Sequence, residues 1–151
     1  MTPMAPPEQI APQGLSDYLD IMSKAVFQAG MSWKVIENKW AGSREALREF
    51  DPHAIAEMDD VDIDELMQDT RVVRNRKKLE ATVHNARTMI SLDEEHGGFQ
   101  TYLRSHEDFW STVKSIRKEF KFMGDMGTYY FLFVVGEEVI PHDQFDAERK
   151  K

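Results

Sequence analysis

The sequence predicts an irregular all-α domain, in which many short helices are joined by tight turns. Three observations carry that expectation. Apolar residues recur at helical spacing along nearly the whole chain, with no convincing alternating strand pattern. Glycine, proline and capping residues fall between the periodic stretches, where they stop one helix or start the next. No internal repeat at a fixed period appears.

The elements follow in order. Pro3, Pro6, Pro7 and Pro12 mark residues 1–14 as a proline-rich arm, without the basic and apolar stretches of a signal peptide. Ser16 can cap a helix whose stripe is Tyr18, Leu19, Met22, Ala25, Val26 and Ala29, closed by Gly30. Ser32 can cap a second helix with Trp33, Ile36 and Trp40, ended by Gly42. Ser43 can start a third, with Ala46, Leu47 and Phe50 inward. Asp51-Pro52 is a cap followed by proline at the first helical position. Asp62 or a neighbour begins the helix of Ile63, Leu66 and Met67, and a turn around Thr70 to Arg74 follows.

The longest helix is expected from about Asn75 to Leu92, on the spacing of Leu79, Val83, Ala86 and Ile90, with Gly97-Gly98 after it. Shorter helices follow near Phe99 to Leu103, Glu107 to Glu119 and Gly127 to Val135. Residues 15–145 make one helical domain, and residues 146–151 a charged tail.

Composition narrows the function. With 151 residues and no cysteine, disulfides, thiolate zinc sites and a cysteine nucleophile are excluded. The histidines His53, His84, His96, His106 and His142 show no metal-ligand spacing, so neither a metal nor a cofactor is expected. The longest apolar run, Tyr129 to Val135, is too short to cross a membrane, and a cytoplasmic protein with no membrane partner, nucleoid-associated if bacterial, is expected.

The net charge of -8 argues against an unspecific nucleic-acid coat, but the charge is unevenly spread. Glu57, Asp59, Asp60, Asp62, Asp64, Glu65 and Asp69 are followed directly by Arg71, Arg74, Arg76, Lys77 and Lys78. A second basic cluster, Lys114, Arg117, Lys118 and Lys121, leads into Phe122-Met123-Gly124-Asp125-Met126-Gly127-Thr128. Such runs are either solvated faces or phosphate contacts. A glycine-bearing turn before an apolar helix can aim backbone N–H groups at an anion, as a helix-hairpin-helix unit does on a nucleic-acid backbone. The same residues also make an ordinary interhelix turn. Asp125 either opposes a phosphate there or caps the next helix.

Four segments in order resemble the type I DNA-3-methyladenine glycosylases of the helix-hairpin-helix DNA glycosylase superfamily. Phe27-Gln28-Ala29-Gly30-Met31-Ser32-Trp33 is similar to that family's Gln-Ala-Gly-Leu-Ser-Trp, and Phe50-Asp51-Pro52 to its Phe-Asp-Pro. Val72-Val73-Arg74-Asn75-Arg76-Lys77-Lys78-Leu79, continuing to Asn85-Ala86-Arg87, resembles Ile-Ile-Arg-Asn-Arg-x-Lys-Ile…Asn-Ala-Arg. Phe120-Lys121-Phe122-Met123-Gly124 resembles Phe-Lys-Phe-Val-Gly. The chain departs from the family at three places. It has no Tyr-His-Asp-x-Glu-Trp-Gly start and no cysteine for the family's zinc clip, and Ala25 stands where the family carries its base-recognition glutamate.

The resemblance implies a monofunctional DNA N-glycosylase of base excision repair, a hydrolase acting on alkylated, 3-methyladenine-like bases flipped out of double-stranded DNA. A monomer is expected. By that resemblance Trp33 stacks on the extruded base; read alone, a core tryptophan like Trp40 is the favoured reading. Gln28 and Ser32 either bond a base edge or serve as helix-end caps. Asp143, in Pro141-His142-Asp143, is the candidate catalytic carboxylate, or else the N-cap of a helix from Gln144 to Lys151. Lys121, Gly124, Gly127 and Thr128, with Arg74, Arg76 and Lys77, are the candidate DNA-backbone contacts. Two rivals remain: a non-catalytic DNA-binding or damage-sensing module with the same fold, and a protein-interaction domain using the acidic Glu57 to Asp69 face.

Overall fold

The computed structural model describes residues 6–150. Among these, nine α-helices form: α1 (Leu15–Gln28), α2 (Trp33–Ala46), α3 (Pro52–Ala56), α4 (Asp60–Leu66), α5 (Arg76–His96), α6 (Phe99–Leu103), α7 (Phe109–Glu119), α8 (Asp125–Val134) and α9 (His142–Arg149). Helix α5 is the central post, packed against α1, α3, α4 and α6, while α1 also meets α2 and α8. The core between them holds Leu19, Met22, Ile36, Phe50, Met89 and Phe131, all fully buried. Removing such apolar surface from water is the main favourable term in the fold.

Local chemistry sets most boundaries. Asp51 accepts from the His53 amide ahead of Pro52, as expected. Asp59, not Asp62, caps α4, and Asp62 closes a reciprocal capping box with it. Asn75 caps α5 by accepting from the Lys78 amide, and Gly97 ends that helix at φ 70°, four residues beyond the expected Leu92 to the last helical residue, His96. Asp108 caps α7 through the Ser111 amide.

Five expectations need correction. Helix α1 starts at Leu15, with Gly14 rather than Ser16 at its N-cap. Gly42 does not end α2, which runs to Ala46. The glycine is there because the Asp69–Arg71 turn crosses the helix: a Cβ on it would lie 3.1 Å from that of Arg71. Beside it the Ser43 hydroxyl donates to the Arg71 carbonyl at 3.0 Å, so Ser43 pins a loop and starts no third helix. In place of that helix, Arg48, Glu49 and Phe50 all take left-handed φ values of 54°, 58° and 54°. This costly turn is held by burial of Phe50, whose ring stacks on Trp40 at 5.1 Å. Helix α8 begins at Asp125 rather than Gly127, and α9 at His142, with Pro141 at its N-cap. Asp143 is therefore inside the first turn of α9 and does not cap it.

Both ends of the described chain join the domain. The Ile10 amide donates to the Val134 carbonyl at 2.7 Å, and the Gln9 side-chain amide to that of Phe133 at 2.9 Å. Helix α9 buries Phe145 completely among Phe109, Trp110 and Tyr129.

Candidate active site

The end of α1, the start of α2 and the α7–α8 hairpin enclose a cleft of about 870 Å³. Its size suits a purine-scale ligand. Ala25 and Gln28 come from α1, Trp33 from α2, and Gly124, Gly127 and Tyr130 from the hairpin and α8. Pro6 and Pro7 of the arm and His142 of α9 complete the wall.

Gly127 permits the close approach that shapes the floor, since a Cβ on it would stand 3.6 Å from that of Ala25. Trp33 is 47% exposed, whereas Trp40 is 5% exposed and donates its indole N–H to Asp20 at 2.7 Å. The two tryptophans of α2 thus have opposite roles, one lining the cleft and one in the core. Trp33 meets Tyr130 edge-on, with centroids 5.2 Å apart and ring planes at 69°.

Burial pushes the Tyr130 phenol up to about 12, with the charges of Glu37 and Asp20 adding to the rise and the Gln28 side chain opposing it. Both carboxylates are themselves paired, Glu37 with Lys24 at 2.5 Å and Asp20 with Arg44 at 2.8 Å. Gln28 lines the cleft with its amide nitrogen buried and no acceptor in hydrogen-bond geometry. Ser32 is exposed at the α2 N-cap position, makes no side-chain cap bond and does not line the cleft.

Asp143 is exposed, and its carboxylate accepts from the adjacent Gln144 amide at 2.9 Å. It does not itself line the cleft, but its neighbour His142 does. Its charge also helps raise the phenol pKa of Tyr129, a lining residue, behind the larger effect of burial.

The candidate backbone contacts divide. Lys121, Arg74 and Lys77 are exposed. Arg76 is paired with Asp64 and, at 3.8 Å, with Glu80. Lys78, from the same basic run, is 5% exposed and donates to the Phe27 and Ala29 carbonyls at 3.2 and 2.5 Å. Burial lowers its pKa, and it ties down the end of α1 rather than facing a phosphate. Gly124 sits at the α8 N-cap, leaving the first-turn amides, Gly127's included, without intrahelical acceptors. Thr128 is a correction: it is fully buried and its amide donates to the Gly124 carbonyl at 2.9 Å, so that N–H is taken by the helix.

Several lining residues escaped the sequence reading. Phe122 is 45% exposed at the hairpin with φ 60°, a strained conformation for a residue other than glycine. Met126, 50% exposed, stands close by in the first turn of α8. Their signal was two large apolar side chains inside a glycine turn; for Tyr130 it was a phenol in an otherwise apolar helix.

Together the helical scaffold and its aromatic cleft define the class, an all-α DNA-glycosylase fold. Residues 16–126 match the methyladenine glycosylase family, and the chain belongs to it. It is 37% identical over 93 residues to a DNA-3-methyladenine glycosylase of Haemophilus influenzae, covering 60% of this chain and 50% of that protein. It is 32% identical over 78 residues to DNA-3-methyladenine glycosylase 1 of Escherichia coli, covering 52% and 42%. The matched segments thus span about half the length of these relatives. In three dimensions it is similar to 3-methyladenine DNA glycosylase I of Staphylococcus aureus, in a structure concerned with 3-methyladenine recognition. That match has a TM-score of 0.74 at 25% identity and covers 85% of this chain and 80% of the other. No helix among the described residues is long and apolar enough to cross a membrane.

Proposed function

We propose that this protein is a monofunctional DNA N-glycosylase that removes alkylated, 3-methyladenine-like bases from double-stranded DNA as a monomer. The observation that carries the reading is Trp33, half-exposed on the wall of a cleft roomy enough for a purine and braced edge-on by Tyr130. A nucleotide turned out of the duplex brings a flat ring, and an alkylated purine brings positive charge that an indole face attracts.

In the reaction the glycosidic C–N bond breaks with its electron pair going to the departing base. The sugar is left positive, and a water oxygen closes the deficit. Asp143 supplies the carboxylate that stabilises that charge or takes the proton from water. Support for this assignment is its place beside His142, which lines the cleft, and the effect of its charge on Tyr129. A cationic base leaves with little acid assistance, so no lysine nucleophile is required. Lys121, Arg74, Arg76 and Lys77, with the Gly124 to Gly127 turn, hold the backbone.

The test is release of free base from methylated duplex DNA by the full chain. Trp33→Ala and Asp143→Asn should each abolish release, with duplex binding retained for Asp143→Asn. Duplex binding with no release across a panel of lesions would instead identify a damage sensor.

A further inference from the structure

A second depression, of about 670 Å³, runs between α7 and α9 on the flank of the hairpin. Lys114, Arg117 and Lys118 line it from α7 and Arg149 from α9, against the carboxylates of Asp125 and Glu148. Four cations facing two carboxylates make a local excess of positive charge on a chain whose net charge is -8. Asp125 and Arg149 line both this groove and the base cleft, so the two adjoin.

The carboxylates there are already engaged. Glu148 accepts from the Trp110 indole N–H at 2.7 Å and from the Gln144 side-chain Nε2 at 2.6 Å. Asp125 accepts from Arg117 at 2.7 Å and lies 4.0 Å from Arg149. Arg149 is further fixed over the buried Phe145 ring, its guanidinium carbon 5.7 Å from the centroid. The two arginines therefore converge on one anionic group at the junction of groove and cleft. Lys114 and Lys118 continue the line along α7, one helical turn apart, both exposed.

We propose that this groove carries backbone phosphates of the DNA strand flanking the base cleft, and that Asp125 holds Arg117 and Arg149 in place until a phosphate replaces it. The inference rests on the duplex-DNA reading above. A phosphodiester suits the site because it is an anion on a repeating polymer, matched to a row of cations that ends at the cleft. Guanidinium groups form charge-assisted hydrogen bonds to phosphate and carboxylate alike, so Asp125 is a stand-in rather than a barrier. The carboxylate also weakens binding, because it competes with the phosphate.

The experiment measures binding of the full chain to an undamaged duplex by fluorescence anisotropy across a salt series. Lys114→Glu with Lys118→Glu should weaken binding at low salt by about tenfold or more and flatten the dependence of log affinity on log salt. Lys114→Gln with Lys118→Gln, a milder pair, should move both quantities in the same direction. Asp125→Asn should tighten binding on the order of threefold, while Glu94→Gln, the same charge change on an exposed face of α5, should not. Circular dichroism melting checks that each variant is folded.

Unchanged duplex affinity in folded lysine variants overturns the proposal, as does weaker binding by Asp125→Asn. Labelled polyglutamate is titrated in the same way, and its loss from the lysine variants with duplex binding intact also overturns the proposal and assigns the groove to an acidic protein. Duplex binding with the expected changes but no base release leaves the groove standing and removes the catalytic reading. Base release with groove variants of unaltered affinity does the reverse.

Discussion

The side chain of Asn85 forms a reciprocal pair with the backbone of Lys121. The Lys121 amide donates to its oxygen at 2.8 Å, and its nitrogen donates to the Lys121 carbonyl at 3.1 Å. Asn85 is 1% exposed, so the central helix holds the hairpin from beneath, one residue before the strained Phe122. Replacing Asn85 by Leu leaves both Lys121 groups without their partner. The expected loss is about 2–3 kcal/mol of stability in chemical denaturation. Hydrogen exchange should rise first at Lys121 and Phe122.

The two tryptophans of α2 should separate stability from activity. Trp40→Ala empties a site packed against Phe27 and Phe50 and is expected to cost about 3–5 kcal/mol in urea unfolding. Trp33→Ala removes a half-exposed ring and should cost less than about 1 kcal/mol while abolishing base release.

Gly127 offers a test of packing at the cleft floor. Its φ is not in the left-handed region and an added Cβ meets that of Ala25 at ordinary contact distance. Gly127→Ala should therefore stabilise the protein by about 0.5–1 kcal/mol through reduced backbone freedom. Gly127→Leu should instead drive α1 and α8 apart, costing about 1–3 kcal/mol and closing the cleft to a base. Thermal melts and base release read the two outcomes.

Tyr130 gives a pH signature. Its phenol is raised from 10.0 to about 12, chiefly by burial. Between those values the unfolded chain has already lost the proton that the folded chain keeps. The stability present below pH 10 is therefore lost as pH rises through the folded value. An ultraviolet titration of tyrosinate should show a late step that Tyr130→Phe removes, and that variant should lose stability less steeply over the same window.

Much of the fold is legible because local chemistry and packing agree. Helix α6, Phe99–Leu103, has the expected bounds, and Asp51 caps α3 as its sequence indicates. The failures are places where a distant segment decides. Gly42 reads as a stop but accommodates a crossing loop, and Ser43 reads as a cap but holds that loop's carbonyl. The basic run Arg74 to Lys78 divides: Lys78 is buried against the end of α1 and Asn75 caps α5, whereas Arg74 and Lys77 are exposed and Arg76 pairs with Asp64.

The Asn85-Ala86-Arg87 motif is likewise architectural. Asn85 holds the hairpin, Ala86 is fully buried, and Arg87 donates to the Ala56 and Met58 carbonyls. Charge and residue type cannot tell a surface cation from one that fastens two elements, since both need the same donor. The cleft was legible through Trp33 only by resemblance. Tyr130 was hidden because spacing marks the buried stripe of α8 but not which phenol turns toward the opening.

The proline arm gives the cleft a wall that no helix carries. Pro6 and Pro7 close one side, yet the hydrogen bonds that fasten the segment are made farther along, from Gln9 and Ile10 to the end of α8. Two residues tethered through their successors in the chain therefore close one side of the opening, while the indole and phenol on the other are carried by α2 and α8.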